Sequence, residues 1–169
     1  GQDFTVTGKT LEIDASGVSS GSGAVHGFSI HNGVDPSTPA YANIEVDNLV
    51  VKADAPNSEA RGFEIGQGTI VNMRGKSLDV QVSGDYATGI FDWHYGDPAD
   101  RVTNMNYDTV TVTAQGNGRE NEWYAYNGIW ASDGEVNINA RKTTVVVQNT
   151  NSADTHALVA NGANGAINV

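Results

Sequence analysis

A pattern that returns five times constrains this chain more than any other feature. An apolar residue is followed five positions later by a second and, two positions after that, by a third. It reads Val6, Leu11, Ile13, then Ile44, Leu49, Val51, then Met73, Leu78, Val80, then Met105, Val110, Val112, and finally Ala140, Val145, Val147. A second unit follows each copy, a glycine and then an apolar run: Gly27-Phe28-Ser29-Ile30, Gly62-Phe63-Glu64-Ile65, Gly89-Ile90-Phe91-Asp92 and Gly128-Ile129-Trp130-Ala131. In the last copy, Ala157-Leu158-Val159-Ala160, alanine takes the place of glycine.

Successive copies of the first unit lie 38, 29, 32 and 35 residues apart. Helical repeats hold a nearly constant length because each unit packs whole helices. In a β-solenoid only the short strands must stay in register, and the turns between them are free to bulge. Apolar residues two apart point to one side of a strand. Leu11/Ile13, Leu49/Val51, Leu78/Val80, Val110/Val112 and Val145/Val147 therefore stack as inward columns, with Glu12, Asp79 and Thr111 facing solvent. The expectation is an all-β chain: a right-handed, single-stranded parallel β-helix of about five rungs, one domain over residues 1–169. At the strand spacing of a sheet the stack would stand ~25 Å tall. A helical fold is excluded because Gly and Asn interrupt every window of helical spacing. A β-sandwich accommodates short strands and turns equally well, but it does not require the repeat to be in phase.

Composition supports this reading. The chain has 20 Gly and 4 Pro, with abundant Val, Thr, Asn and Asp, residue types suited to strands and turns. Its net charge of −11, from 20 acidic against 9 basic residues, argues against nucleic acid and against an anionic membrane surface as partners. With no cysteine, thiolate metal sites and cysteine nucleophiles are excluded, and the core is expected to hold without disulfides. No apolar run is long enough to span a membrane as a helix, and no signal peptide is visible.

Gly165-Ala166-Ile167-Asn168-Val169 matches Gly134-Glu135-Val136-Asn137-Ile138, so a new rung begins at the C-terminus. With no capping helix in evidence, the chain reads as an uncapped piece of a longer rod, or as a module that stacks end to end into fibres. The stretch Tyr126-Asn127-Gly128-Ile129-Trp130-Ala131 followed by Gly134-Glu135-Val136-Asn137-Ile138 resembles the rungs of autotransporter passenger domains, as does Gly162-Ala163-Asn164-Gly165-Ala166-Ile167-Asn168-Val169. The resemblance covers nearly the whole chain. It implies secretion across a Gram-negative outer membrane, display at the cell surface, and anchorage through a C-terminal β-barrel outside this segment.

The aligned columns contain one misfit. Ile30, Ile65, Asp92, Ala131 and Ala160 share an inward column, which places a carboxylate in the core. Either a bulge turns Phe91 or Trp93 inward, or a buried polar network holds Asp92. The neighbouring outward column holds Ser29, Glu64, Phe91, Trp130 and Val159, with Trp93 nearby. Exposed aromatics suit a ligand such as a sugar ring. The alternative is that the Ala114–Asn127 insertion, carrying Trp123, Tyr124 and Tyr126, folds over them. A second candidate edge carries His94 and Tyr95, with Asp97 and Asp100 as weak candidates for a hard cation. His26, His31, His94 and His156 lack metalloprotease spacing. Glu45, Glu64 and Asp79 fall in different columns, so no catalytic pair of acids is evident.

The resulting expectation is a non-catalytic, extracellular adhesin or stalk that needs no cofactor. Its ligand-binding candidates are Phe91, Trp93, His94, Tyr95, Trp123, Tyr124, Tyr126 and Trp130. Its partner is a host or bacterial surface ligand, a glycan or matrix protein, with self-association as a further possibility. A polysaccharide-active enzyme is the weaker alternative.

Overall fold

The computed structural model describes residues 3–16, 24–31, 39–66, 68–93, 102–116, 126–150 and 154–169. Among these there are nine strands and no helix: β1 (Phe4–Ser16), β2 (Val25–Ile30), β3 (Ala40–Ile65), β4 (Thr69–Trp93), β5 (Val102–Gly116), β6 (Tyr126–Ser132), β7 (Glu135–Asn149), β8 (Thr155–Asn161) and β9 (Ala166–Asn168). Every pairing between them is parallel. One series runs β1-β3-β4-β5-β7-β9, and a second runs β2-β3-β4-β6-β8. β3 serves both series, because its earlier residues pair with β1 and Ala60–Ile65 pair with β2. The chain thus bends within a single strand, with the register shifting between Ala55 and Glu59.

This is an all-β parallel solenoid. Its handedness and rung count depart a little from the expectation: it makes about four turns. Five copies of the first unit leave only four steps between them. In-and-out alternation is the same for either winding sense, so the repeat carries no information on handedness.

The columns form where the alternation places them. Leu11, Leu49, Leu78 and Val110 stand in one register, and Ile13, Val51, Val80, Val112 and Val145 in the next. Leu49, Val51, Val80 and Val112 are fully buried. The fifth copy is corrected by two residues. Met105 pairs with Ile138 rather than Ala140, and Val110 with Thr143 rather than Val145. A slip of two keeps every side chain on the same face, so alternation cannot detect it, and Thr143 in an otherwise apolar column hid the true phase.

The glycines of the second unit have a packing cause. A Cβ at Gly62 would lie 2.3 Å from Val80 Cγ1, at Gly89 2.2 Å from Val112 Cγ1, and at Gly128 2.2 Å from Val145 Cγ1. Each would also meet the carbonyl oxygen of the next residue in the column, 2.6 Å away at Gly89. Here the valines of one face press against the backbone of another, and only glycine leaves room.

Asp92 faces inward as its column requires, pairing with Ile65 on one side and Ala131 on the other. No bulge removes it, and it is fully buried. Its Oδ2 accepts a hydrogen bond of 2.7 Å from Thr103 Oγ1. Thr103 is the polar member of its own inward column, between Val71 and Val136. Two misfits in separate columns are therefore joined by a hydrogen bond, as buried polar groups generally are.

A further column lies on the outer side of β3, β4, β5, β7 and β9. Asn72 Nδ2 donates to Asn43 at 3.4 Å, Asn104 to Asn72 at 3.0 Å, Asn137 to Asn104 at 3.1 Å, and Asn168 to Asn137 at 2.7 Å. Each amide accepts from one rung and donates to the next, an arrangement that only in-register parallel stacking allows.

Two substitutions test this packing. Gly89→Ala should destabilise the fold by roughly 2–3 kcal/mol, the cost of overpacking a site that cannot relax. Gly8→Ala, where nothing lies within 4 Å of the added Cβ, should be neutral in the same urea titration. Thr103→Val, nearly isosteric, should cost roughly 1–3 kcal/mol by withdrawing a donor from a buried carboxylate, again read from the denaturation midpoint.

Candidate functional site

The outer side of β2, the end of β3, the end of β4, β6 and β8 carries the predicted aromatic column. Ser29, Glu64, Phe91, Trp130 and Val159 are in register on consecutive rungs. Phe91 and Trp130 are half-buried and meet edge-to-face with ring centroids 5.0 Å apart. Trp130 Nε1 donates to Asn161 Oδ1 at 3.0 Å. Trp93, also half-buried, lies two residues further along the strand, opposite Ser132.

Beneath these rings lies a polar cluster centred on Glu64, whose side chain is only 6% exposed. Trp93 Nε1 donates to Glu64 Oε1 at 3.0 Å. Arg61 Nη1 reaches the same oxygen at 3.0 Å, while its Nε donates to Glu59 Oε1 at 2.7 Å. His26 Nδ1 contacts Glu64 Oε2, and His31 Nε2 stands 3.6 Å from Oε1. The guanidinium carbon of Arg61 sits 4.2 Å from the centre of the Phe91 ring, a cation–π contact that couples the ionic layer to the aromatic one.

Local register explains the assembly. His26 and Arg61 share a column, as do Ser29 and Glu64, so strand pairing alone brings the histidine alongside the carboxylate's rung. His31 and Trp93 come from rungs on either side of Gly66, and their rings are 5.9 Å apart. A Cβ on Gly66 would lie 2.2 Å from His31 Nδ1. The missing side chain at Gly66 is the space into which His31 settles.

Burial on its own raises the pKa of Glu64. The hydrogen bond from His26 and the charge of Arg61, joined by the charge of His26 and the Trp93 hydrogen bond, outweigh it and hold Glu64 below the ordinary glutamate range. A carboxylate kept ionised in this way is a poor general acid, which must hold its proton near the working pH.

The other predicted residues fall elsewhere. Tyr126 is not part of the outer surface. It is fully buried, stacked on Tyr86 with centroids 6.5 Å apart, and its hydroxyl donates to the Asp85 carbonyl. His94, Tyr95, Trp123, Tyr124, Asp97 and Asp100 lie outside the described residues. Among the described residues no group of three or more His, Asp or Glu side chains is arranged to hold a metal ion.

Arg61 and Glu59 belong to no motif in the sequence, and His26 and His31 lack metalloprotease spacing. The available signal was the column itself: Arg61 lies 35 positions beyond His26, the spacing that also separates Ser29 from Glu64. The fold and site define a cysteine-free parallel β-solenoid with one aromatic and ionic outer strip. Comparison with family models, with curated proteins and with solved structures finds no match for this chain.

Because Glu64 has a depressed pKa in the folded state, its contribution to stability is present above the unfolded-state pKa and is lost as pH falls through the folded value. Glu64→Gln should therefore be destabilised relative to the parent at pH 7, by roughly 3 kcal/mol for a buried ion pair broken on one side. The gap should close as both proteins are titrated below the ordinary glutamate range. Denaturation midpoints measured from pH 7 down to pH 3 check this.

Proposed function

We propose that this chain is a segment of a rod-shaped, non-catalytic passenger of a secreted autotransporter, displayed at a bacterial surface, and that it binds glycans through the strip around Phe91 and Trp130. The observation that carries the binding reading is the layered strip itself. Half-buried aromatic rings lie over an ionic cluster that contacts them through Arg61 and Trp93, so the rings are held in fixed orientations. Indole and phenyl faces pack against the C–H faces of pyranose rings, and preorganised rings lose little entropy on binding. Loops and faces presented by a rigid scaffold are where binding resides. The autotransporter reading rests on the rung motifs Gly128-Ile129-Trp130-Ala131 and Gly134-Glu135-Val136-Asn137-Ile138. The non-catalytic reading is supported by the chemistry of the cluster: Glu59 and Glu64 share one guanidinium, and Glu64 is held ionised.

A glycan array followed by titration calorimetry on the best ligand tests the proposal. Trp130→Ala should weaken binding at least tenfold, which corresponds to about 1.4 kcal/mol, and Phe91→Ala should do likewise. Thr111→Ala, which alters the outward column of β5 in the other series of strands, should bind like the parent. Equal affinity across all of these proteins would remove the strip from the account.

A further inference from the structure

The charge pairing within the strip bears on which glycans fit it. Acidic sugars, whether uronates, sialylated or sulfated chains, are held by guanidinium or ammonium groups that have donors to spare. Among the described residues of β2, β6, β8 and the terminal parts of β3 and β4 that build this face, Arg61 is the one arginine or lysine. Its Nε is engaged by Glu59 and its Nη1 by Glu64. Phe91 lies against its guanidinium carbon, and the side chain is 16% exposed. Its charge is answered by two carboxylates, and the imidazoles of His26 and His31 are turned to Glu64 as well, so the described ionic layer holds no cation without a carboxylate partner. The whole chain, at −11, adds a field of the same sign.

We infer that the ligand of this face is an uncharged saccharide, a neutral hexose or N-acetylhexosamine chain, and that its acidic derivatives are rejected. This inference rests on the glycan-binding reading above. The neutral sugar needs only ring faces and hydroxyl partners. Phe91 and Trp130 supply the first, and the Asn161 amide beside Trp130 and the half-exposed imidazole of His26 supply the second. A carboxylated or sulfated sugar would meet buried, ionised Glu64, with no free arginine or lysine among the described residues of this face to offset the repulsion.

The test is a matched panel in which each neutral oligosaccharide is presented beside its uronate, sialylated or sulfated counterpart, at fixed pH 7.5 and moderate salt. The expected result is binding of at least one neutral member, with its acidic counterpart at least tenfold weaker. Glu59→Gln provides the second arm. It removes one negative charge and loosens the hold on Arg61 Nε, so the acidic counterpart should gain several-fold while the neutral parent changes little. An acidic member that binds as tightly as its neutral parent overturns the inference and leaves the glycan-binding reading standing. Binding of no member, neutral or acidic, overturns that reading and the inference with it.

Discussion

The main-chain hydrogen bonds between parallel rungs are the constraint from which the rest follows. A parallel ladder in unbroken register places each residue directly over its counterpart one rung away. Whatever a position does on one rung it must do on every rung, or its neighbours must compensate. Inward positions therefore become columns of Leu, Ile and Val, and the position pressed against a neighbouring face becomes glycine four times in succession. Outer positions become ladders, of which the five asparagines from Asn43 to Asn168 are the longest.

Departures from a column are where individual chemistry enters. Asp92 would be a costly buried charge in a column of Ile and Ala, yet Thr103 breaks a second column at a place where its hydroxyl reaches the carboxylate. Glu64 is likewise an anomaly, an outward acid that is nearly buried. It is held there because the rungs on either side supply His26, His31 and Trp93, and its own rung supplies Arg61. The aromatic strip rests on that ionic layer through the contact of Arg61 with Phe91, so the orientation of the rings and the state of the buried carboxylate are linked.

The fold was legible because period-two alternation and an in-phase repeat are local, additive signals. Val51, Val80 and Val112 announce their column without any knowledge of the turns between them. The true phase of β7 was not legible, since a two-residue slip preserves the face of every side chain and Thr143 sits where an aliphatic residue was expected. Of the strip, Phe91 and Trp130 could be read from their column, and Trp93 from its place two residues along the same strand. The Glu64 cluster could not, because its members lie on three rungs separated by insertions of unequal length, and their proximity exists only once the register is known. The asparagine ladder escaped for a different reason. Each asparagine directly precedes an apolar residue (Ile44, Met73, Met105, Ile138 and Val169), so the eye following the apolar pattern passes over it.

Register is therefore the claim on which both the packing and the strip depend, and distance measurements between spin labels test it directly. The chain has no cysteine, so pairs of labels can be placed on the outward column of Thr5, Asn43, Asn72, Asn104, Asn137 and Asn168. With one label at position 5 and the other moved from 104 to 137 to 168, the account predicts separations of roughly 14, 19 and 24 Å, one strand spacing per rung. Distances that fail to rise by about one strand spacing at each step would contradict the stacked register.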